Sequence, residues 1–313
     1  MVDLDTVPLE DEKPTKLEFD PSTPNAVVKT FGGLNIVPVK QITDQWGHCI
    51  LIYGPGGVGK TPQAASVANS PACKKGLLFL DVEGGVRSIS HMDNVDVHQI
   101  FKWKDWTTFR RTLTQNPKEF PYDVVVVDNL SELADVSMKD ITEDQPSIRE
   151  WGENTDKILD MVRFCRDASR KWGIIFILIA WDTDLEEGSE TAKRTKKSIA
   201  FTPKLREKLP GIVDIIGYMN VDLRGTPNAA GDRPRLISFA PARDTVAKFR
   251  RSKDENASKV PLEVYDTDIT ALCDVVTTLT NGSPFPLAKH TPPRAAGGTG
   301  AVTRPTPKPA EAD

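Results

Sequence analysis

The stretch LIYGPGGVGKTP, residues 51–62, constrains the fold more than any other part of the chain. It reads Gly54-x-x-x-x-Gly59-Lys60-Thr61 directly after a short apolar run, Cys49 to Tyr53. That order predicts a buried strand, a glycine-rich turn and the first turn of a helix. Glycine lets a backbone wrap an anion with no Cβ in the way. The exposed N–H groups and the helix dipole then face the anion. In such a loop Gly54, Pro55, Gly56, Gly57, Val58 and Gly59 cradle phosphates. Lys60 reaches the β- and γ-phosphates, and the Thr61 hydroxyl ligates Mg²⁺. Pro62 is tolerated because a first-turn N–H has no partner inside the helix. The expected ligands are ATP and Mg²⁺.

Downstream, apolar runs alternate with helical patterns. Strands are expected near 48–53, 76–82, 96–101, 122–128 and 173–181, and helices near 60–69, 105–116, 131–142 and 150–172. VVVVD and IIFILIAW are continuous apolar runs, as strands covered on both faces require. The class is therefore α/β with a mostly parallel sheet flanked by helices. After residue 210, GIVDIIGYMNVDLRG and RPRLISFAPA flank the turn TPNAAGD, which predicts an antiparallel hairpin added at the sheet edge. One more helix, near 267–280, follows.

Three strand ends offer catalytic groups. Asp128 closes YDVVVVD, where a carboxylate belongs to the Mg²⁺ shell together with Thr61. Asn129 follows it, whereas AAA+ ATPases usually place a water-activating Glu there. RecA-like ATPases carry that Glu on the strand after the phosphate-loop helix. Glu83 in GLLFLDVEGGV holds that position and is the expected general base. Trp181 and Asp182 end FILIAWDTD, where a γ-phosphate sensor would sit.

The next segment, 182–204, reads as a mobile loop with acids in its first half and bases in its second. Lys193, Arg194, Lys196 and Lys197 suit phosphate contacts, and Phe201 suits stacking on a base of single-stranded DNA. The bland alternative is a solvated loop whose charges pair among themselves. Farther on, APARDTVAKFRRS carries Lys248 and Arg250, with Arg243 and Arg251 beside them. Cations there suit transition-state stabilisation across a subunit interface, and a basic surface turn is the competing reading.

The ends differ from the middle. Residues 1–24 hold seven acids and two bases, while the whole chain carries net charge −4, so the remainder is near neutral. Residues 1–44 are expected to be a flexible acidic arm with an edge strand, 45–281 the core, and 282–313 a disordered Pro/Gly-rich tail. The four cysteines are widely spaced, which points away from zinc and toward reduced thiols. No apolar run approaches the roughly 20 residues of a membrane helix, so no membrane partner is expected.

Taken in order, YGPGGVGKT, LFLDVEGG, YDVVVVDNL, LPGIVDIIGYM and VAKFR resemble the small phage-encoded RecA-like ATPases, including the fourth Sak family of single-strand annealing proteins. The resemblance runs from about residue 48 to 280. It implies a RecA-like P-loop core that forms a homo-oligomer, ring or filament, on single-stranded DNA in the host cytoplasm. It also implies strand annealing or recombination beside a single-strand-binding protein. By position, Lys60, Thr61 and Asp128 bind MgATP, Glu83 activates water, and Lys248 and Arg250 act across an interface. The family's more usual A-K-D-R is A-K-F-R here, with Phe249 in place of the acid. The rival reading is an AAA+-like helicase loader or remodeller that acts on a protein. A binding module that uses ATP only to set its oligomeric state is a third.

Overall fold

The computed structural model describes residues 29–31, 34–36, 47–187, 193–223, 233–242, 244–250 and 256–290. Its strands are β1 (Lys29–Phe31), β2 (Leu34–Ile36), β3 (Cys49–Gly54), β4 (Leu77–Asp81), β5 (Val95–Gln99), β6 (Val124–Asp128), β7 (Ile175–Glu187), β8 (Arg194–Ile199), β9 (Ile215–Val221), β10 (Arg235–Ser238), β11 (Lys248–Phe249) and β12 (Glu263–Asp266). Its α-helices are α1 (Lys60–Ser66), α2 (Trp103–Gln115), α3 (Leu130–Ile141), α4 (Ile148–Trp172), α5 (Pro203–Ile212) and α6 (Ala271–Asn281).

The main sheet runs β12-β10-β9-β3-β7-β6-β4-β5. From β5 to β9 all neighbours are parallel, and β10 and β12 are antiparallel additions. This is the mostly parallel P-loop core that the alternating runs predict. Strands β3, β4 and β6 are buried along their whole length. Their alternate side chains feed two separate apolar layers. Leu51, Val125, Val127 and Leu178 pack with α3, α4 and α5 on one face. Ile50, Phe79, Val126 and Ile177 pack with α1 and α6 on the other. Continuous apolar strands are thus the signature of a sheet sandwiched by helices.

The turn TPNAAGD does separate antiparallel partners, with Arg235 opposite Val221 and Ser238 opposite Tyr218. The hairpin is more than an edge ornament, because its first arm, β9, pairs in parallel with β3. Helix α4 is fixed at both ends. Ser147 and Glu150 form a reciprocal capping box at its start, and Gly173 ends it in the left-handed region at φ 71°.

Three expectations change. The segment expected as an edge strand near residues 25–44 contains β1 and β2, which pair with each other in a separate two-stranded sheet. The segment from 182 is not an open loop. Strand β7 continues through Glu187 and turns back as β8, forming an antiparallel ribbon beyond the sheet. The core also continues past 281. Phe285 and His290 are buried. The His290 ring bridges the Tyr265 carbonyl and the Asp274 carboxylate at 2.7 Å each. Residues 282–290 are thereby pinned to β12 and α6, while 291–313 and the acidic arm of residues 1–28 lie outside the described residues.

Candidate functional site

The loop between β3 and α1 is shaped by backbone constraints. A Cβ at Gly54 would meet the Met219 carbonyl oxygen at 2.1 Å, so β9 demands glycine there. Gly59 caps α1 at φ 97°, a conformation that L side chains rarely adopt. Gly56 and Gly57 face open space, and Val58 is buried. Pro62 falls within the first turn of α1, as expected.

Lys60 is 7% exposed. Its ammonium donates to the carbonyls of Gly54 (2.7 Å) and Pro55 (2.8 Å), which holds it inside the loop's curve. Burial lowers its pKa, and the carboxylates of Asp128, Glu83 and Asp182 act in the opposite direction. The Thr61 hydroxyl donates to Asp128 Oδ2 at 2.6 Å. Asp128 is 1% exposed, and its pKa is pushed up to about 6, first by burial and then by Glu83 and Asp81. The Thr61 hydrogen bond and Lys60 oppose that rise.

Thr61 and Asp128 therefore converge two hard oxygen donors at the rim of the loop. One hydroxyl and one carboxylate, completed by water and phosphate, suit the octahedral habit of Mg²⁺. A cation beside Asp128 would favour its charged form and so oppose the rise that burial causes. A Cβ at Gly85 would lie 3.5 Å from both donor oxygens, so the turn after β4 passes within van der Waals reach of this point.

Glu83 reaches the same cluster. Its backbone N–H, like that of Val82, donates to the Asp128 carbonyl, which ties the ends of β4 and β6 together. Asn129 Nδ2 donates to Glu83 Oε2, and Asn129 Oδ1 accepts from the Glu132 N–H at 2.7 Å as the N-cap of α3. In sequence Asn129 registers only as the place where a Glu is missing. In the fold it holds the Glu supplied by the neighbouring strand. The Asp128–Asn129 peptide bond is cis.

Arg235 is a second group that sequence reasoning missed. From β10 its Nε donates to the Val58 carbonyl at 2.8 Å, so its guanidinium lies against the phosphate loop. The two residues are 177 positions apart, and no motif marks Arg235.

The expected sensor pair lies beside the loop. Trp181 pairs opposite Gly54 across β3 and β7, and its N–H donates to Ser131 Oγ at 3.1 Å. Asp182 accepts from Tyr218 at 3.5 Å and faces Lys197 at 3.8 Å.

The expected single-strand contacts sit on the ribbon, with charges paired across it. Lys197 meets Asp184 at 2.6 Å, and Lys193 meets Glu186 at 3.0 Å. Arg194 lies opposite Glu187, and Lys196 opposite Leu185. Phe201 packs against the core instead of standing free, because α5 begins two residues later and draws it inward. Lys248 and Arg250 are not brought to this chain's phosphate loop. They lie at the N-terminal end of β9, beside Asp214, which accepts from the Cys49 N–H where β3 begins. Strand β3 separates the two ends by about 16 Å. Lys248 donates to the carbonyls of Pro210 and Val213, and burial lowers its pKa. Arg250 reaches Asp214 at 3.5 Å. Arg243 and Arg251 lie outside the described residues.

Among the described residues no helix is long and apolar enough to cross a membrane. The sequence model of a protein family described as "AAA domain" matches residues 47–251. No match to a curated protein was found.

Proposed function

The chain belongs to the AAA domain family and carries an ATPase domain of that type, and from that premise we propose that it hydrolyses MgATP to drive pairing or annealing of single-stranded DNA. The observation that carries the hydrolytic part is the convergence of Lys60, Thr61, Asp128 and Glu83 at one rim of the sheet. The loop amides and Lys60 bind the phosphates, and Thr61 and Asp128 would hold Mg²⁺, which would neutralise phosphate charge. Glu83, oriented by Asn129, accepts the proton of the attacking water. Without its partner the Glu83 carboxylate would sample several rotamers, and a general base must be aimed.

The nucleic-acid part is supported by placement. Strand β7 passes between β3 and β6, beside both the phosphate loop and Asp128, and continues into the ribbon bearing Lys193, Arg194, Lys196 and Lys197. Asp182 influences Lys60 and also pairs with Lys197, which links the ribbon to the loop electrostatically. Lys248 and Arg250 serve a neighbouring copy in this reading, as members of a ring or filament. Lys248 then has to exchange its two carbonyl partners for the neighbour's nucleotide.

A protein partner, as in a helicase loader, is the competing reading. ATP turnover measured with and without single-stranded DNA separates the two. The first reading expects stimulation by the strand, loss of turnover in Lys60→Ala, and single-strand affinity that falls with salt at a log–log slope of about −0.7 per phosphate contact. Turnover indifferent to DNA, with no salt-dependent binding, overturns it.

A further inference from the structure

A cavity of about 410 Å³ opens beside the nucleotide site, between the first turns of α3, the N-terminal half of α4, the base of the ribbon and the start of α5. Three aromatic side chains from three segments line it: Trp151, Trp181 and Phe201. Such volumes are in the range of small-ligand sites, roughly 300–1,000 Å³. Trp151 is 43% exposed and forms the outer lip.

The polar groups of the wall are specific. Asn154 is 5% exposed. Its Nδ2 donates to the Ala134 carbonyl at 3.0 Å, yet its Oδ1 is buried with no hydrogen-bond partner. A buried carbonyl left unpaired is destabilising, and native proteins seldom tolerate it without a purpose. Thr155 is already committed to the Trp151 carbonyl and to Thr202. Asp135 adds an acceptor, and Arg206 makes no ion pair among the described residues.

We propose that this cavity takes one nucleobase. The ring stacks against Trp151 and Phe201, an N–H of its pairing edge donates to Asn154 Oδ1, and Arg206 meets the attached phosphate. Every base has a flat face and at least one such N–H, so the site discriminates base from no base more than one base from another. Reaching the buried Asn154 oxygen requires the cavity wall around it to shift. The inference rests on the single-strand reading above for the source of the base.

The cavity also shares walls with the hydrolytic site. Ser131 lines it, lies three residues past Asp128 and accepts from the Trp181 N–H. Trp181 in turn lies opposite Gly54. A base seated here therefore presses on the two segments that hold the metal ligand and the phosphate loop.

The test uses the full chain, a labelled oligothymidylate, an abasic strand of the same length and thymidine monophosphate. Strand binding is read by fluorescence anisotropy and mononucleotide binding by calorimetry, in wild type and in Trp151→Ala with unchanged melting. The abasic strand and Trp151→Ala should each lose about 5- to 150-fold in affinity, the range expected for one stacked base. Arg206→Ala should weaken the normal and abasic strands alike. Mononucleotide binding that Trp151→Ala removes, with no strand bound, supports the cavity and assigns its base to a free nucleotide. Equal affinity for the normal and abasic strands, unchanged in Trp151→Ala, overturns the cavity and leaves strand binding intact. No binding of either strand or of the mononucleotide overturns both.

Discussion

One charged region lies beside β7 and another on its extension, and they are built on opposite terms. At the rim of β4 and β6, Asp81 and Asp128 are buried and Glu83 lies beside them, with Lys60 as the nearest cation. On the ribbon, acids and bases are mostly exposed and matched across strands, as with Lys197 and Asp184. Burying acids together is unfavourable, and such arrangements cluster at sites where a ligand resolves them. Exposed pairs contribute little either way. The first region therefore signals chemistry through unresolved charge. The second signals only local order, and any role in binding must come from breaking its pairs.

That contrast can be broken most sharply at Glu83. Glu83→Gln should keep nucleotide affinity and slow hydrolysis by about 10²- to 10⁴-fold, the range of a lost acid–base group. Single-turnover kinetics checks this, and unchanged turnover would make Glu83 a bystander.

The next test concerns Asp128. Its folded pKa of about 6 stands above the usual 3.8, so the folded chain takes up a proton that the unfolded chain releases between those values. Stability should fall as pH rises from about 4 to 6 and stay lower above that. Asp128→Asn should abolish turnover yet stabilise the ligand-free chain at pH 8 by roughly 1–3 kcal/mol. The gap should close below pH 4. A melting difference independent of pH would show that burial does not strain this carboxylate.

Asn129→Ala should have a smaller effect, combining a lost helix cap of about 1 kcal/mol with slower turnover than wild type. Turnover should nevertheless exceed that of Glu83→Gln, because the base remains but is no longer aimed. Equal rates in Asn129→Ala and wild type would remove the positioning role. The smallest effect is expected on the ribbon. Lys197→Ala should change stability by less than about 1 kcal/mol, since Lys197 and its nearer partner, Asp184, are exposed. A larger loss would mean that the ribbon, too, stores charge for a purpose.

The parallel strands were readable because VVVVD and IIFILIAW admit few other folds, and the phosphate loop because its glycines meet backbone demands within a few residues. The ribbon reads in sequence as an open loop, although its signal is present. Two acids of its first strand, Asp184 and Glu187, lie in register opposite two bases of its second, Lys197 and Arg194. Strands β11 and β12 are short and lack alternation, so propensity alone could not find them. Asn129 and Arg235 act through contacts that only the closed sheet creates. The same is true of residues 282–290, whose composition suggests a tail until Phe285 and His290 find their pockets.

The phosphate-loop helix is braced from far downstream. The Gln63 amide donates to Asp266 and accepts from the Leu272 N–H, 209 residues away, while Arg235 holds Val58. During synthesis the loop leaves the ribosome long before these braces exist. Full packing of the phosphate-loop helix thus waits on contacts more than 200 residues away in sequence, and closing such contacts is slow. A chain cut at residue 251, where the family match ends, would keep every motif and lack β12 and α6. Such a chain would carry the phosphate loop without the partners of Gln63, so its nucleotide affinity would measure how much the loop owes to the end of the chain.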